Sequence, residues 1–413
     1  MTSPKRAVAA IAGGTAGGQM IALACSPIIS RLAPPGVFGP FAVVNAAVMP
    51  LASVAALRLE AAVPIASDGD EAIDLVRTGA MFAAVFALVS LPAIWLSGEI
   101  LVSIFHLQMN PRLLVWAPAI ASLMGLFVLL NQLAIRERLY SAIARRNLLQ
   151  AGVTALAQVA FSALGLGGHG LAMGLALGQL VGVLALAQSL TPALAGYRNQ
   201  HRPFATLRKY RRFPLMMMPS ALINSLGLQV PVLVLAMLYD TRTSGLMGMT
   251  QRILALPLAL IGIAISQVFL GEFSAASRTK SGSMRPLFRR TSRDLAAIGL
   301  VAALAVIAMG PQAFALVLGD EWRGSGVFAQ YMAVGLALQM VASPLSQTLI
   351  VLGKLAHQLG WDVLRLALSV VAIVGAHSAG HPPRIAVLWL GLAMAFSYAI
   401  LWLLSWTAVR GVE

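Results

Sequence analysis

Three charges in this chain lie where charge is costly. Arg58 and Glu60 fall inside an apolar stretch, residues 39–65, and Arg252 sits eight residues into another, 244–270, flanked by Thr250 and Gln251. A third stretch, 213–238, carries Asn224 and Gln229 ahead of Pro231. Where such a stretch crosses a bilayer, a charge at mid-depth costs about 2.5–3.5 kcal/mol on insertion scales and needs a partner or water. On a continuous helix, residues two apart point in different directions. Arg58 and Glu60 are therefore expected to make no good pair, so at least one of them should face a partner helix or an aqueous cavity. The competing reading is that Arg58 and Arg252 snorkel to the membrane surface while Glu60 stays just inside the headgroups. The chemistry on offer is recognition: a guanidinium is a rigid fork of donors that matches phosphate and carboxylate.

Other motifs carry less. Gly165-x-Gly167-x-x-Gly170 matches a dinucleotide fingerprint by letter but follows no strand, so no cofactor is expected. The same stretch continues as Gly170, Gly174, Gly178 and Gly182, one glycine every fourth residue, which predicts a helix face open to close approach by another helix. The six histidines have no paired spacing, so no metal site is expected. Cys25 is the single cysteine, which excludes an intrachain disulfide or a zinc cluster. Ala22-Leu-Ala24-Cys25 faintly resembles a cleavage or lipidation signal, but the first stretch reads as an ordinary membrane helix. No G-x-x-x-x-G-K-[ST] occurs, so ATP hydrolysis through a P-loop is excluded. Trp95, Trp116, Trp322, Trp361 and Trp406 fall at the ends of apolar stretches, where an interfacial belt would place them.

The elements that must position these residues follow from composition. The chain has 413 residues, 59% apolar and 10% charged, with a mean hydropathy of +0.84. A soluble domain is about 45–50% apolar and about 25% charged, so this chain reads as an all-α polytopic membrane protein. Apolar runs near 8–28, 39–65, 76–97, 113–135, 148–166, 169–190, 213–238, 244–270, 294–318, 327–352, 362–379 and 385–408 predict twelve transmembrane helices. The eleventh is short and carries Asp362 and Arg365. The net charge of +15 reads as topology and not as nucleic-acid affinity. With the N-terminus cytoplasmic, 23 of the 29 Lys and Arg fall in even-numbered loops and tails, counting Arg58 near the inner end of the second span and including Arg136, Arg138, Arg145 and Arg146. Five (Arg31, Arg112, Arg242, Arg323 and Arg384) fall outside, and Arg252 lies within a span. That asymmetry fits the positive-inside rule, with both termini cytoplasmic.

The basic break near 191–212 divides the chain into two six-helix bundles, 1–200 and 201–413. A weak echo supports the division: Gly39 to Asn45 with Pro50 beyond it, and Gly245 to Gln251 with Pro257 beyond it, each open the second span of a half. Two bundles of like orientation around a central cavity are a common transporter plan. Pro50, Pro231, Pro257 and Pro344 interrupt helices, which is tolerated where freed backbone groups find partners or line a cavity.

Several blocks then resemble the Wzx-type polysaccharide flippases, in the superfamily that also holds multidrug-and-toxin extruders and lipid II flippases. Ile28-Ile-Ser-Arg31-Leu-Ala-Pro-Pro-Gly-Val-Phe38-Gly39 is similar to that family's lead-in to the second span. Leu57-Arg58-Leu-Glu60-Ala resembles its Arg-Tyr-Glu-Leu-Ala block, with Leu59 in place of the aromatic residue. Phe213-Pro214, Pro219-Ser220, Asn224 and Gln229-Val-Pro231 look like the seventh-span pattern. Gln251-Arg252, Leu256-Pro257 and Gln267-Val-Phe269 extend it through the eighth, and Gly319-Asp-Glu-Trp322 and Ser343-Pro-Leu-Ser346 match the tenth-span region. The blocks occur in family order across nearly the whole chain.

The resemblance implies a non-enzymatic flippase of a bacterial inner membrane. It would move an undecaprenyl-diphosphate-linked oligosaccharide from the cytoplasmic to the periplasmic leaflet, for O-antigen, capsule or exopolysaccharide. Arg58, Arg252, Arg31, Asn224 and Gln229 would line the substrate path, and Glu60 would carry a coupling proton or balance the arginines. Implied partners are the lipid-linked oligosaccharide, membrane lipids, and a polysaccharide polymerase with chain-length proteins; no cofactor and no nucleic acid is implied. Three alternatives stay open: a cation-coupled multidrug extruder, a membrane-embedded glycan polymerase, and a purely structural scaffold.

Overall fold

The computed structural model describes residues 4–195, 203–279 and 284–411. Arg198, Arg202 and Lys280, and the side chains of Lys5, Arg6, Leu256, Pro257, Gln267 and Arg278, lie outside what it describes. Among the described residues there is no strand. In chain order the α-helices are α1 (Pro4–Leu32), α2 (Pro35–Ala55), α3 (Gly69–Ile104), α4 (Trp116–Arg136), α5 (Tyr140–Ala163), α6 (Gly167–Ala195), α7 (Pro203–Lys209), α8 (Met218–Leu238), α9 (Thr241–Thr279), α10 (Met284–Leu318), α11 (Arg323–Leu345), α12 (Gln347–Val351), α13 (Leu355–Ser378) and α14 (Pro383–Arg410). Setting aside the short α7 and α12 leaves twelve long helices in the expected order. Nine segments among the described residues are long and apolar enough to cross a membrane. The protein is a multi-pass integral membrane protein.

Most helices overrun their apolar runs, and at the start of α3 a polar cap sets the end. Asp68 caps α3 by accepting from the Glu71 N–H (2.7 Å), and the Glu71 carboxylate reaches back to the Ser67 N–H (2.8 Å). The second span departs the other way. The apolar run continues to residue 65, yet α2 stops at Ala55. Leu57 (φ 53°) and Arg58 (φ 56°) are both left-handed, and the chain then makes two short 3₁₀ turns, Leu59–Ala61 and Val63–Ile65. Arg136 at the end of α4 holds this detour by donating to the carbonyls of Val63 (3.0 Å), Ala66 (2.9 Å) and Asp68 (2.9 Å).

The chain forms two compact units, Met1–Gln229 and Val230–Glu413. The core of the first joins Leu59, Val63, Leu75, Leu129, Leu133, Ile143, Val183 and Leu186. The glycine ladder on α6 packs as its spacing predicts. A Cβ on Gly174 would stand 2.7 Å from the Gln158 backbone nitrogen of α5, and one on Gly178 would stand 2.9 Å from the Gln150 carbonyl. The second unit uses the same device where the sequence showed no ladder. Gly310 and Gly326 bring α10 to α11, and Gly335 and Gly391 bring α11 to α14. Its core includes Phe269, Phe273, Phe288 and Trp406. Of the tryptophans expected at the interface, Trp322, Trp361 and Trp406 are buried, while Trp95 is exposed. Trp361 donates to the Ser397 carbonyl (2.7 Å), so indole packing and not membrane anchoring holds it there.

Candidate functional site

The break after α2 brings Arg58 and Glu60 together, against the expectation from a continuous helix. The guanidinium lies 3.0 Å from the carboxylate, with the Arg58 side chain 31% exposed and Glu60 8% exposed. The reason is local. Two left-handed residues in succession reverse the chain, so side chains two apart converge. Non-glycine residues adopt that conformation at a cost of about 1–2 kcal/mol each, and such strain collects at functional sites. Leu59 and Glu60 are buried, which fixes the turn on the core. Arg58 also follows the C-terminal end of α2, where the helix dipole favours a cation. Its Nε–H is enclosed without a hydrogen-bond acceptor among the described residues, whereas 31% of the side chain remains open to a ligand.

The remaining candidates lie on other elements. Arg31, in the last turn of α1, is exposed and its Nη1 donates to the Pro27 carbonyl (3.2 Å). Arg31 precedes α2 and Arg58 follows it, and 21 helical residues span about 30 Å. The two arginines therefore occupy opposite ends of one membrane-length helix. Asn224 is exposed on α8, and Gln229 is half-buried a turn later. In the second unit Arg252 is half-buried on α9. Beside it Thr250 donates to the Ser325 carbonyl of α11 (2.9 Å), and the Ser325 hydroxyl donates to the Leu246 carbonyl of α9 (2.8 Å), which fixes the helix that carries Arg252.

Two polar clusters escaped the sequence reading. Arg146, counted there as a loop cation, lies inside α5 and is only 4% exposed. Its guanidinium sits over the Phe127 ring and donates to Asn147 Oδ1 (3.0 Å) and Gln179 Oε1 (3.5 Å). Asn147 in turn donates to Thr15 of α1 (3.2 Å). The helix begins at Tyr140, well before the apolar run, and nothing in the hydropathy marks that start. In the second unit, Asp362 and Arg365 form a buried pair at 3.4 Å on α13. Arg365 lies over the Trp361 ring (4.7 Å) and donates to the Tyr398 hydroxyl (3.5 Å). The i,i+3 spacing on a helix was the available signal. Among the described residues no group of His, Cys, Asp and Glu could hold a metal ion.

The likeness to solved structures is one of fold. The fold is similar to a multidrug resistance MATE family transporter of the MOP superfamily in an inward-facing conformation, with a TM-score of 0.75, 15% identity and 95% of each chain covered. It is also similar to the lipid II flippase MurJ in an inward closed conformation, with a TM-score of 0.77, 9% identity, and 96% of this chain and 88% of that one covered. A MOP superfamily transporter from Pyrococcus furiosus gives a TM-score of 0.66 at 15% identity, over 100% of this chain and 97% of that one. No protein of curated function matches by sequence. The chain belongs to the polysaccharide biosynthesis protein family, whose model matches residues 28–326.

Proposed function

We propose that the protein flips an undecaprenyl-diphosphate-linked oligosaccharide from the cytoplasmic to the periplasmic leaflet of a bacterial inner membrane, for surface polysaccharide synthesis. The observation that carries the reading is Arg58. It is a half-buried guanidinium, part of it open to a ligand, set at a strained break between membrane helices in a chain of the polysaccharide biosynthesis family. A diphosphate carrying sugars requires bidentate cationic donors along its path, whereas its lipid tail can stay in the bilayer. No covalent step is needed, and both termini are cytoplasmic in this reading.

Transport proceeds by alternating access. Arg58 and Arg252 hold the head group, Asn224 and Gln229 hydrogen-bond its sugars, and Arg31 receives it at the opposite membrane face. Glu60 balances Arg58, and neutralising Glu60 frees the guanidinium for the diphosphate. A polysaccharide polymerase and its chain-length proteins take the product. The test is to deplete the protein and follow lipid-linked oligosaccharide. Accumulation on the cytoplasmic leaflet supports the reading. Normal leaflet distribution, together with export of small cationic dyes by the purified protein, would replace it with drug extrusion.

A further inference from the structure

The segment joining α7 to α8 has two faces of different chemistry. Inward, Thr206 is buried and Leu207, Tyr210 and Phe213 pack against the core of the first unit. Lys209 is tied to the Glu71 carboxylate at the start of α3, and that hydrogen bond holds its ammonium above the usual lysine pKa. Burial, followed by the hydrogen bond to Glu71, pushes the Tyr210 hydroxyl up as well. The segment is therefore fastened on its inner side.

Outward, Phe204 and Arg208, one turn apart on α7, Arg211 in the turn at 210–211 and Leu215 beyond it are all exposed. Phe204 is 79% exposed and Leu215 71%. Arg212, Met216 and Met217 extend the exposed set. Arg208, Arg211 and Arg212 make no ion pair among the described residues. The chain passes directly into the apolar span Phe213–Leu238, so Arg211 and Arg212 lie within about one helical turn of side chains that face the acyl region. The backbone widens there through a π-helical turn, Phe213–Met217.

We infer that this outer face is a docking surface for anionic glycerophospholipid in the bordering leaflet. The three arginines take the headgroup phosphates, and Phe204 and Leu215 take the adjoining acyl chains. Charge complementarity selects the occupant: a polybasic stretch beside a span attracts anionic headgroups, and apolar side chains on the same face favour a lipid over a soluble anion. Asp68 and Asp70 are exposed at the start of α3, and Glu71 is already engaged with Lys209. This inference is independent of what the protein transports.

The test measures phosphatidylglycerol and phosphatidylcholine retained by the detergent-purified full chain, by native mass spectrometry. The wild type is expected to retain phosphatidylglycerol selectively. The triple substitution Arg208→Gln, Arg211→Gln, Arg212→Gln is expected to lose that preference by about tenfold or more. The matching Lys triple, which keeps the charge, retains it and guards against a folding defect. A control triple of the same charge change on α10, Arg289→Gln, Arg290→Gln, Arg293→Gln, leaves it intact. Equal retention by the Gln triple and the wild type would overturn the inference. So would an equal loss in the control, or full displacement of the lipid by inorganic phosphate.

Discussion

The α5–α6 contact allows a prediction whose sign depends on which glycine is changed. Gly174 and Gly178 stand where an added Cβ would meet α5 backbone, 2.7 Å from the Gln158 nitrogen and 2.9 Å from the Gln150 carbonyl. Backbone cannot rotate away, so the helices must separate, and overpacking of this kind costs up to about 3 kcal/mol per site. Replacing Gly by Ala inside a helix returns about 1 kcal/mol of propensity. The net is about 2 kcal/mol at each site and at most about 4 kcal/mol for Gly174→Ala with Gly178→Ala. Gly152, on α5 itself, has nothing within 4 Å of its virtual Cβ, so Gly152→Ala should gain up to about 1 kcal/mol. The first unit has 229 residues, and at that size 1 kcal/mol moves the melting temperature by about 2–4 °C. Thermal unfolding in detergent, followed by the surviving size-exclusion peak, should place the double variant about 10 °C below wild type and Gly152→Ala slightly above it. A double variant melting at or above wild type would refute the close-approach argument, as would an equal fall in Gly152→Ala.

Three further outcomes follow from named contacts. Removing Asp362 takes the carboxylate from a buried arginine, so Asp362→Ala should cost about 3–5 kcal/mol, while Asp362→Leu with Arg365→Met should be near neutral; thermal melts of both would separate charge loss from packing loss. Arg136→Ala frees the carbonyls of Val63, Ala66 and Asp68 and should loosen the break after α2. Faster hydrogen exchange across residues 57–68 would report it, and unchanged protection there would count against the tie. Trp361→Phe keeps the ring and loses the donor to the Ser397 carbonyl, and should destabilise the protein by about 1 kcal/mol in the same melts.

The order and number of the long helices were legible because sustained apolar runs report membrane spans directly. The glycine ladder of α6 was legible because a four-residue period maps onto one helix face. The break at Leu57–Arg58 was not. The run stays apolar through residue 65, no glycine or proline marks the turn, and Arg136, whose donors hold it, lies far along the chain. The pairing of Arg58 with Glu60 was missed for the same reason: a helical period was assumed through residues that leave the helix. Arg146 was hidden by its neighbours, since Arg145 and the polar start of α5 read as a loop. The inter-helix glycine pairs Gly310–Gly326 and Gly335–Gly391 join positions with no common period, so only the fold reveals them.

The account turns on whether a lipid-linked diphosphate crosses the bilayer through this protein by way of Arg58. The direct measurement is transbilayer movement of an undecaprenyl-diphosphate oligosaccharide in proteoliposomes, comparing wild type, Arg58→Ala and Arg58→Lys at equal insertion. The account predicts movement by wild type, a loss of about tenfold or more in Arg58→Ala, where a charge-assisted bidentate contact worth at least 1.4 kcal/mol is removed, and partial retention in Arg58→Lys. Wild-type rates in Arg58→Ala, or no movement of the lipid by the wild-type protein, would contradict it.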